Sequence, residues 1–147
     1  MRRGILFPAL VLISIFPLSM RHASAHEATL TGWTTDHREA WRSAQADQRP
    51  MLLYISSDNC VYCRKMVHDT LTEKAIAQQI QQQFVPVNLA AKDNRILVRK
   101  LRVKSYPTTV IISPRSVVLD YIPGFVSADE LKMRLVTAVN RLADNRR

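Results

Sequence analysis

Residues 57–66 read Ser-Asp-Asn-Cys-Val-Tyr-Cys-Arg-Lys-Met, and they contain both cysteines of this 147-residue chain, Cys60 and Cys63. An apolar run precedes them at residues 51–55, and a helix-compatible stretch follows at residues 61–70. A strand, then Cys-x-x-Cys, then a helix is the context in which such a pair is typical of a redox site.

The spacing of the two cysteines allows their sulfur atoms to react with each other. Residues three apart on a helix face the same way, with Cβ atoms about 5–6 Å apart. Cys60 and Cys63 can therefore close a disulfide or open to a dithiol with little backbone movement. Cys60 lies at the predicted helix start, where unpaired backbone N–H groups and the positive end of the dipole favour a thiolate. Because the thiolate is the nucleophile in disulfide exchange, we expect Cys60 to attack and Cys63 to resolve.

A purely structural role explains this pair poorly. An exported protein with two cysteines is expected to pair them. A disulfide that closes so short a loop, however, adds little stability compared with one that spans a long loop. The placement therefore favours redox chemistry.

Residues 1–25 have the pattern of a secretory signal peptide. Two arginines near the start precede an apolar run over residues 5–18, and Ala23 and Ala25 form a small-x-small cleavage site. Cleavage near Ala25 would release a periplasmic or secreted chain that begins at His26. The alternative is a retained anchor, but the apolar run is shorter than the ~20 residues of a spanning helix and contains two prolines. No later stretch of the sequence is long and apolar enough to span a bilayer, so we expect no stable membrane span after cleavage.

The charge of the chain does not indicate a nucleic-acid binder. The formal net charge is +9, and it falls to +6 without the first 25 residues, which carry three arginines and no acid. The cations are scattered, and no run of five or six like charges occurs. The expected partners are protein thiols and disulfides and an upstream redox donor or acceptor protein, and we expect a monomer of one domain over residues 26–147.

Hydrophobic periodicity and turn residues predict alternating helices and strands. The predicted helices cover residues 36–46, 61–70, 72–82 and 93–101, with a closing helix from a cap at Ser127 to about Leu142. The predicted strands cover residues 51–56, 84–89, 108–112 and 117–122. Residues 26–33 are expected to form an arm or a first edge strand.

Several features of these elements make specific predictions. The strand at 51–56 is apolar throughout, which indicates burial on both faces. Pro86 removes one ladder donor, which weakens the strand assignment there or places that strand at an edge. The alternating half of the chain predicts parallel pairing, and the hairpin at 113–116 adds an antiparallel edge. We expect Ile96 and Val136 to face inward from their helices.

This order of elements resembles the thioredoxin fold. The resemblance rests on Cys-x-x-Cys at the start of the second helix and on Ser105-Tyr106-Pro107-Thr108 before the third strand, and it covers residues 36–142. It implies a single α/β domain with a central mixed β-sheet flanked by helices. It also implies a cis Tyr106–Pro107 bond against the dithiol, substrate pairing at the backbone of Tyr106, and a groove flanked by Gly124.

The chain departs from the family pattern around the cysteines. Asn59 stands where the family usually has tryptophan, and Val61 and Tyr62 replace the frequent Gly-Pro. Thioredoxins proper have a buried aspartate before the motif and a lysine on the next strand, and we align these positions with Tyr54 and Pro86. The local sequence is closer to divergent secreted thioredoxin-like proteins than to cytosolic thioredoxin. We count Tyr62 among the substrate-binding candidates, since it could either gate access to Cys60 or cover it.

Other uses of a Cys-x-x-Cys pair fit less well. A c-type haem site needs histidine after the second cysteine, and Arg64 stands there. A zinc site needs two further ligands, and His26, His37 and His68 supply no second pair at ligand spacing. We therefore expect no metal and no cofactor beyond the Cys60–Cys63 disulfide, and we interpret His68 as a surface residue rather than a proton shuttle.

The signal-peptide pattern and the resemblance together predict an exported thiol–disulfide oxidoreductase that reduces or exchanges disulfides in envelope proteins. The alternative from a different class is a non-catalytic thioredoxin-fold binding module whose cysteine pair stays permanently oxidised.

Overall fold

The computed structural model describes residues 29–144. The predicted signal peptide lies outside the described residues. The described elements, in chain order, are α1 His37–Asp47, β1 Met51–Ser56, α2 Val61–Met66, a π-helical turn Val67–Leu71, α3 Lys74–Gln83, β2 Val85–Ala90, α4 Arg95–Lys100, β3 Thr108–Ile112, β4 Val118–Pro123 and α5 Ala128–Asp144. They form a mixed four-stranded sheet flanked by helices, which confirms the predicted single α/β domain.

The sheet has the strand order β2-β1-β3-β4. β1 and β2 are parallel and β3 and β4 are antiparallel, both as predicted. The prediction of parallel pairing for the whole alternating half is wrong, because β3 runs antiparallel to β1. The connection over residues 91–107 leads into β3 at the end of the sheet where β2 finished, and Thr108 pairs with Ile55 there.

Pro86 lies on an edge strand, as its missing N–H predicts. The outer side of β2 is partly covered by a single bridge to Thr34. The Thr34 N–H donates to the Pro86 carbonyl at 3.2 Å, and the Asn88 N–H donates to the Thr34 carbonyl at 2.9 Å. Residues 29–33 form no strand, so this part of the predicted segment 26–33 is an arm rather than an edge strand.

The sheet buries a hydrophobic core on each face. Leu52 and Tyr54 of β1 point to the first face, which is covered by α2, α3 and α5. Leu53 and Ile55 point to the second face, which is covered by α1 and α4. All four side chains are essentially inaccessible, which confirms that β1 is buried on both faces.

Two inward-facing predictions are wrong. Ile96 is 68% exposed and Val136 is 47% exposed. The inner face of α5 consists of Leu131, Leu135, Ala138 and Leu142. Val136 follows Leu135 by one residue, a rotation of about 100° that carries it off this face. α4 buries no side chain at all, so its apolar residues cannot all face the core.

Candidate redox site

Cys60 and Cys63 form a disulfide at the start of α2, with S–S 2.12 Å and Cα–Cα 5.2 Å. Cys60 is the N-cap residue of α2, and its Sγ accepts a hydrogen bond from the Cys63 N–H at 3.1 Å. A backbone N–H directed at Sγ stabilises negative charge there. Cys60 is partly exposed, whereas Cys63 is only 5% exposed. The pair lies where the sequence predicts it, and the assignment of the attacking and resolving roles stays a prediction.

The turn before the motif explains one departure from the family pattern. Asn59 has φ 56°, in the left-handed region, which asparagine adopts more readily than most residues. This turn connects buried β1 to the N-cap residue Cys60. Asp58 in the same turn pairs with Lys92 at 3.1 Å, across an exposed surface where such a pair contributes little stability.

The loop before β3 contains the cis peptide bond that the resemblance implies, between Tyr106 and Pro107. The Gly124 N–H donates to the Pro107 carbonyl at 2.7 Å, so the two predicted groove loops are joined directly. Gly124 has φ 83°, and a Cβ at this position would meet no atom within 4 Å. The glycine is therefore favoured by its backbone conformation rather than by crowding. Cys60 and Tyr106 both pack against the core of the first face.

A cavity of about 750 Å³ lies beside the disulfide. Its walls include both cysteines and, from the elements around them, Trp33, Tyr54 and Asn88. Trp33 and Tyr54 meet edge to face, with ring centroids 6.4 Å apart. No local sequence pattern predicts this cavity, because its walls come from segments far apart along the chain.

Tyr54, the position aligned above with the buried aspartate of thioredoxins proper, lies buried on β1. Its hydroxyl donates to the Cys63 carbonyl at 2.8 Å, and burial raises the pKa of Tyr54, so the phenol stays neutral. The strand register places Asn88 beside Tyr54, whereas Pro86 lies beside Leu52. Asn88 is therefore the β2 residue paired with Tyr54, and no local sequence pattern indicated this pairing. An uncharged Tyr54–Asn88 pair stands next to the disulfide.

The remaining candidates lie at the surface of the motif. Val61 and Tyr62 are 64% and 63% exposed, between the two cysteines in sequence. The His68 side chain is 79% exposed, as predicted for a surface residue, although it also lines the outer part of the cavity. Its Nδ1 lies 2.6 Å from an oxygen of Asp69. Hydrogen bonds from Lys65 first, and then from His68, lower the pKa of Asp69.

Residues 29–144 contain no group of three or more histidine, cysteine or acidic side chains placed to hold a metal ion. Within the same residues, no helix combines the length and the apolar character needed to cross a bilayer.

Comparisons with known proteins agree with this geometry. A thioredoxin from Thermus thermophilus superposes with a TM-score of 0.67 at 23% identity, over 74% of this chain and 88% of that one. A DsbH oxidoreductase superposes with a TM-score of 0.62 at 18% identity, over 79% of this chain and 92% of that one. The reduced DsbD C-terminal domain of Neisseria meningitidis superposes with a TM-score of 0.61 at 17% identity, over 69% of this chain and 92% of that one. No curated protein sequence matches the chain. The sequence model of the thioredoxin-like domain matches residues 37–138, and the chain therefore belongs to the thioredoxin-like family.

Proposed function

We propose that this protein is an exported thiol–disulfide oxidoreductase that reduces or exchanges disulfides in envelope proteins. One observation carries the proposal. Cys60 is a partly exposed residue at the N-cap of α2 and its Sγ accepts the Cys63 N–H, whereas Cys63 is buried. An accessible thiolate and a sheltered partner three residues later are what the two steps of disulfide exchange need.

The reaction starts from the reduced dithiol. The Cys60 thiolate attacks one sulfur of a substrate disulfide, a Cys60–substrate disulfide forms, and the first substrate thiolate leaves and takes up a proton. Cys63 then loses its proton and attacks the Cys60 sulfur, which forms the Cys60–Cys63 disulfide and releases the second substrate thiolate. Two electrons pass from the protein to the substrate. An upstream dithiol protein must supply two electrons to begin the next cycle.

The proposed surface for a peptide substrate consists of two loops and the exposed residues between the cysteines. The Tyr106–Pro107 loop and the Gly124 loop are hydrogen-bonded to each other, and the exposed Val61 and Tyr62 add apolar area. In this proposal, the Tyr106 backbone pairs with the substrate backbone and Tyr62 contacts its side chains. Val61 and Tyr62 carry no charge, which suits partly unfolded or extended segments with apolar residues.

The charges around Cys60 favour reduction or exchange over primary oxidation. A strong oxidant needs a strongly stabilised thiolate. Arg64 and Lys65 are exposed, and Lys65 is engaged with Asp69 and lies 5.0 Å from the Phe125 ring centroid. Exposed cations contribute about 0.2–1 kcal/mol, which corresponds to about 4–20 mV of reduction potential. Tyr54 and Asn88 add no charge.

Trapping of mixed disulfides tests the proposal. The chain from His26 onward should reduce insulin in the presence of a small dithiol, and Cys60→Ser should abolish this activity. Cys63→Ser should accumulate covalent complexes with substrate proteins, and Cys60→Ser, as the matched control, should not. Trapping by Cys60→Ser alone would reverse the two roles. A wild-type chain no more active than Cys60→Ser would instead support the non-catalytic binding module.

A further inference from the structure

A second cavity lies on the opposite face of the sheet from the cysteines. It has a volume of about 690 Å³ and lies between α1 and α4. Its floor is formed by Met51 and Leu53 of β1 and by Ile112 of β3, which belong to the core of the second face. Cavities of this size with mostly apolar walls are typical of small-molecule sites.

The cavity exists because α4 is too short to cover the second face. α4 has six residues and buries none of them, so Leu97 and Leu101 remain half-buried along one wall. Trp41 of α1 forms the opposite wall and is also half-buried. Val118 at the mouth is 49% exposed. Protein interiors are normally close-packed, so this accessible apolar volume is available to a ligand.

The rim of the cavity is cationic. Arg38 and Arg42 lie four residues apart on α1, and Lys100 lies at the end of α4. No aspartate or glutamate is among the described residues that line the cavity. The ion pairs found within residues 29–144 involve none of these three cations. Asp36 interacts electrostatically with Arg42, but no carboxylate in the described part of the chain is in direct ion-pair contact with the rim. An apolar floor under this positive rim is complementary to a molecule with an apolar chain and one anionic head.

We propose that this cavity binds a single-chain fatty-acid carboxylate, with the alkyl chain against Trp41, Leu53 and Leu101 and the carboxylate at Arg42 and Lys100. The chain's own first 25 residues are a poor occupant, because they carry three arginines and no acid and would be repelled by the rim. The site lies on the face opposite the disulfide, so the proposal does not rest on the redox function.

Binding of dodecanoate below its micellar concentration tests the proposal, with the full chain and tryptophan fluorescence as the readout. The chain has two tryptophans, and Trp33→Phe leaves Trp41 as the single reporter. We expect a saturable change in Trp41 emission. The affinity should rise about fourfold per methylene from octanoate to dodecanoate, because each methylene is removed from water. Dodecanol, which has no charge, should bind at least about tenfold more weakly.

Matched variants identify the site. The double variant Arg42→Gln/Lys100→Gln should weaken dodecanoate binding about tenfold or more. Lys132→Gln removes one charge from exposed α5 on the first face and should leave the affinity unchanged. Val118→Trp should block the mouth, and its thermal unfolding is measured alongside to show that it folds. A variant with both cysteines replaced by serine should bind as the wild type does, which separates this site from the redox site.

Four outcomes would overturn the proposal. The first is a dodecanoate signal that does not saturate by about 1 mM, and the second is equal affinity for dodecanoate and dodecanol. The third is a loss of dodecanoate affinity in Lys132→Gln equal to that in the double variant Arg42→Gln/Lys100→Gln. The fourth is binding to anionic phospholipid vesicles without binding to monomeric dodecanoate.

Discussion

At the residue scale, Tyr54 determines the chemical character of the site. It lies on the central strand, donates to the Cys63 carbonyl and contacts Trp33 edge to face. The strand register places it beside Asn88, and burial keeps its phenol neutral. The site therefore has a rigid neutral neighbour, and neither Tyr54 nor Asn88 can take a proton from Cys63. We expect the resolving step to depend on solvent or substrate groups for that proton transfer.

Tyr54→Phe should lower the free energy of unfolding by about 1 kcal/mol, because the buried hydrogen bond to Cys63 is lost and the ring is kept. Urea unfolding measures the change. Tyr121→Phe is the matched control, since its hydroxyl donates to the Arg102 carbonyl at 3.3 Å from a half-buried position and should cost less. Equal losses in the two variants would contradict a special role for Tyr54.

The raised pKa of Tyr54 also predicts a pH dependence of stability. Above the ordinary tyrosine value of about 10, the unfolded chain loses this proton while the folded protein keeps it, so the unfolded state gains stability as the pH rises. The stabilisation is therefore fully present below pH ~10 and is lost above it. The stability difference between the wild type and Tyr54→Phe should shrink as the pH rises from about 9 to 11 in urea titrations. A difference that stays constant over this range would show that Tyr54 titrates normally in the fold.

At the element scale, the shortness of α4 accounts for one departure from the sequence prediction and for one cavity. The helix buries no residue, so Ile96 is exposed. It leaves part of the second face uncovered, which creates the cavity beside Trp41. The length of α4 therefore affects both the exposure of Ile96 and a candidate binding site.

Amide protons in α4 should exchange at least about tenfold faster than those in α1, which covers the same face. α1 has eleven residues, buries Ala40 and Ala44, and is capped by Asp36, which accepts from the Arg38 and Glu39 amides. α4 has six residues, no buried side chain and no side-chain cap. Hydrogen exchange followed by mass spectrometry measures both helices in one experiment. Equal protection would mean that α4 is held by contacts other than side-chain burial.

At the scale of the whole molecule, the sheet separates two sites. The disulfide and its cavity lie against the first face, and the cation-rimmed cavity lies on the second. The central strand β1 contributes to both sites, because Tyr54 points to the disulfide site and Leu53 to the cation-rimmed cavity. A substitution that shifts this strand should therefore affect both sites, whereas rim substitutions should affect only one.

Export is a prediction about the whole chain. When the full chain is expressed in a bacterium, N-terminal sequencing of the envelope fraction should begin at His26. Ala25→Phe should block processing, because the cleavage site needs a small residue there. Ser24→Leu is the matched control at the neighbouring, tolerant position and should be processed. Processing of Ala25→Phe at the same bond, or a wild-type chain that keeps its first 25 residues, would contradict the signal-peptide assignment.

The sequence by itself was sufficient for most elements and for the cysteine pair. Strands 51–56 and 108–112 and the capped closing helix are local patterns of apolar residues, and such patterns are set by neighbours along the chain. The Cys-x-x-Cys spacing defines its own geometry at a helix start. The cis bond at Tyr106–Pro107 followed from the family resemblance, since most X-Pro bonds are trans.

Only the tertiary structure decided the direction of β3, the exposure of Ile96 and Val136, and the neighbour of Tyr54. Each depends on how segments far apart in sequence are placed against one another. Strand register pairs Tyr54 with Asn88 instead of Pro86, and local periodicity does not specify the register between two strands. Both cavities have the same origin, because their walls come from several elements and their volume is what packing between those elements leaves unfilled.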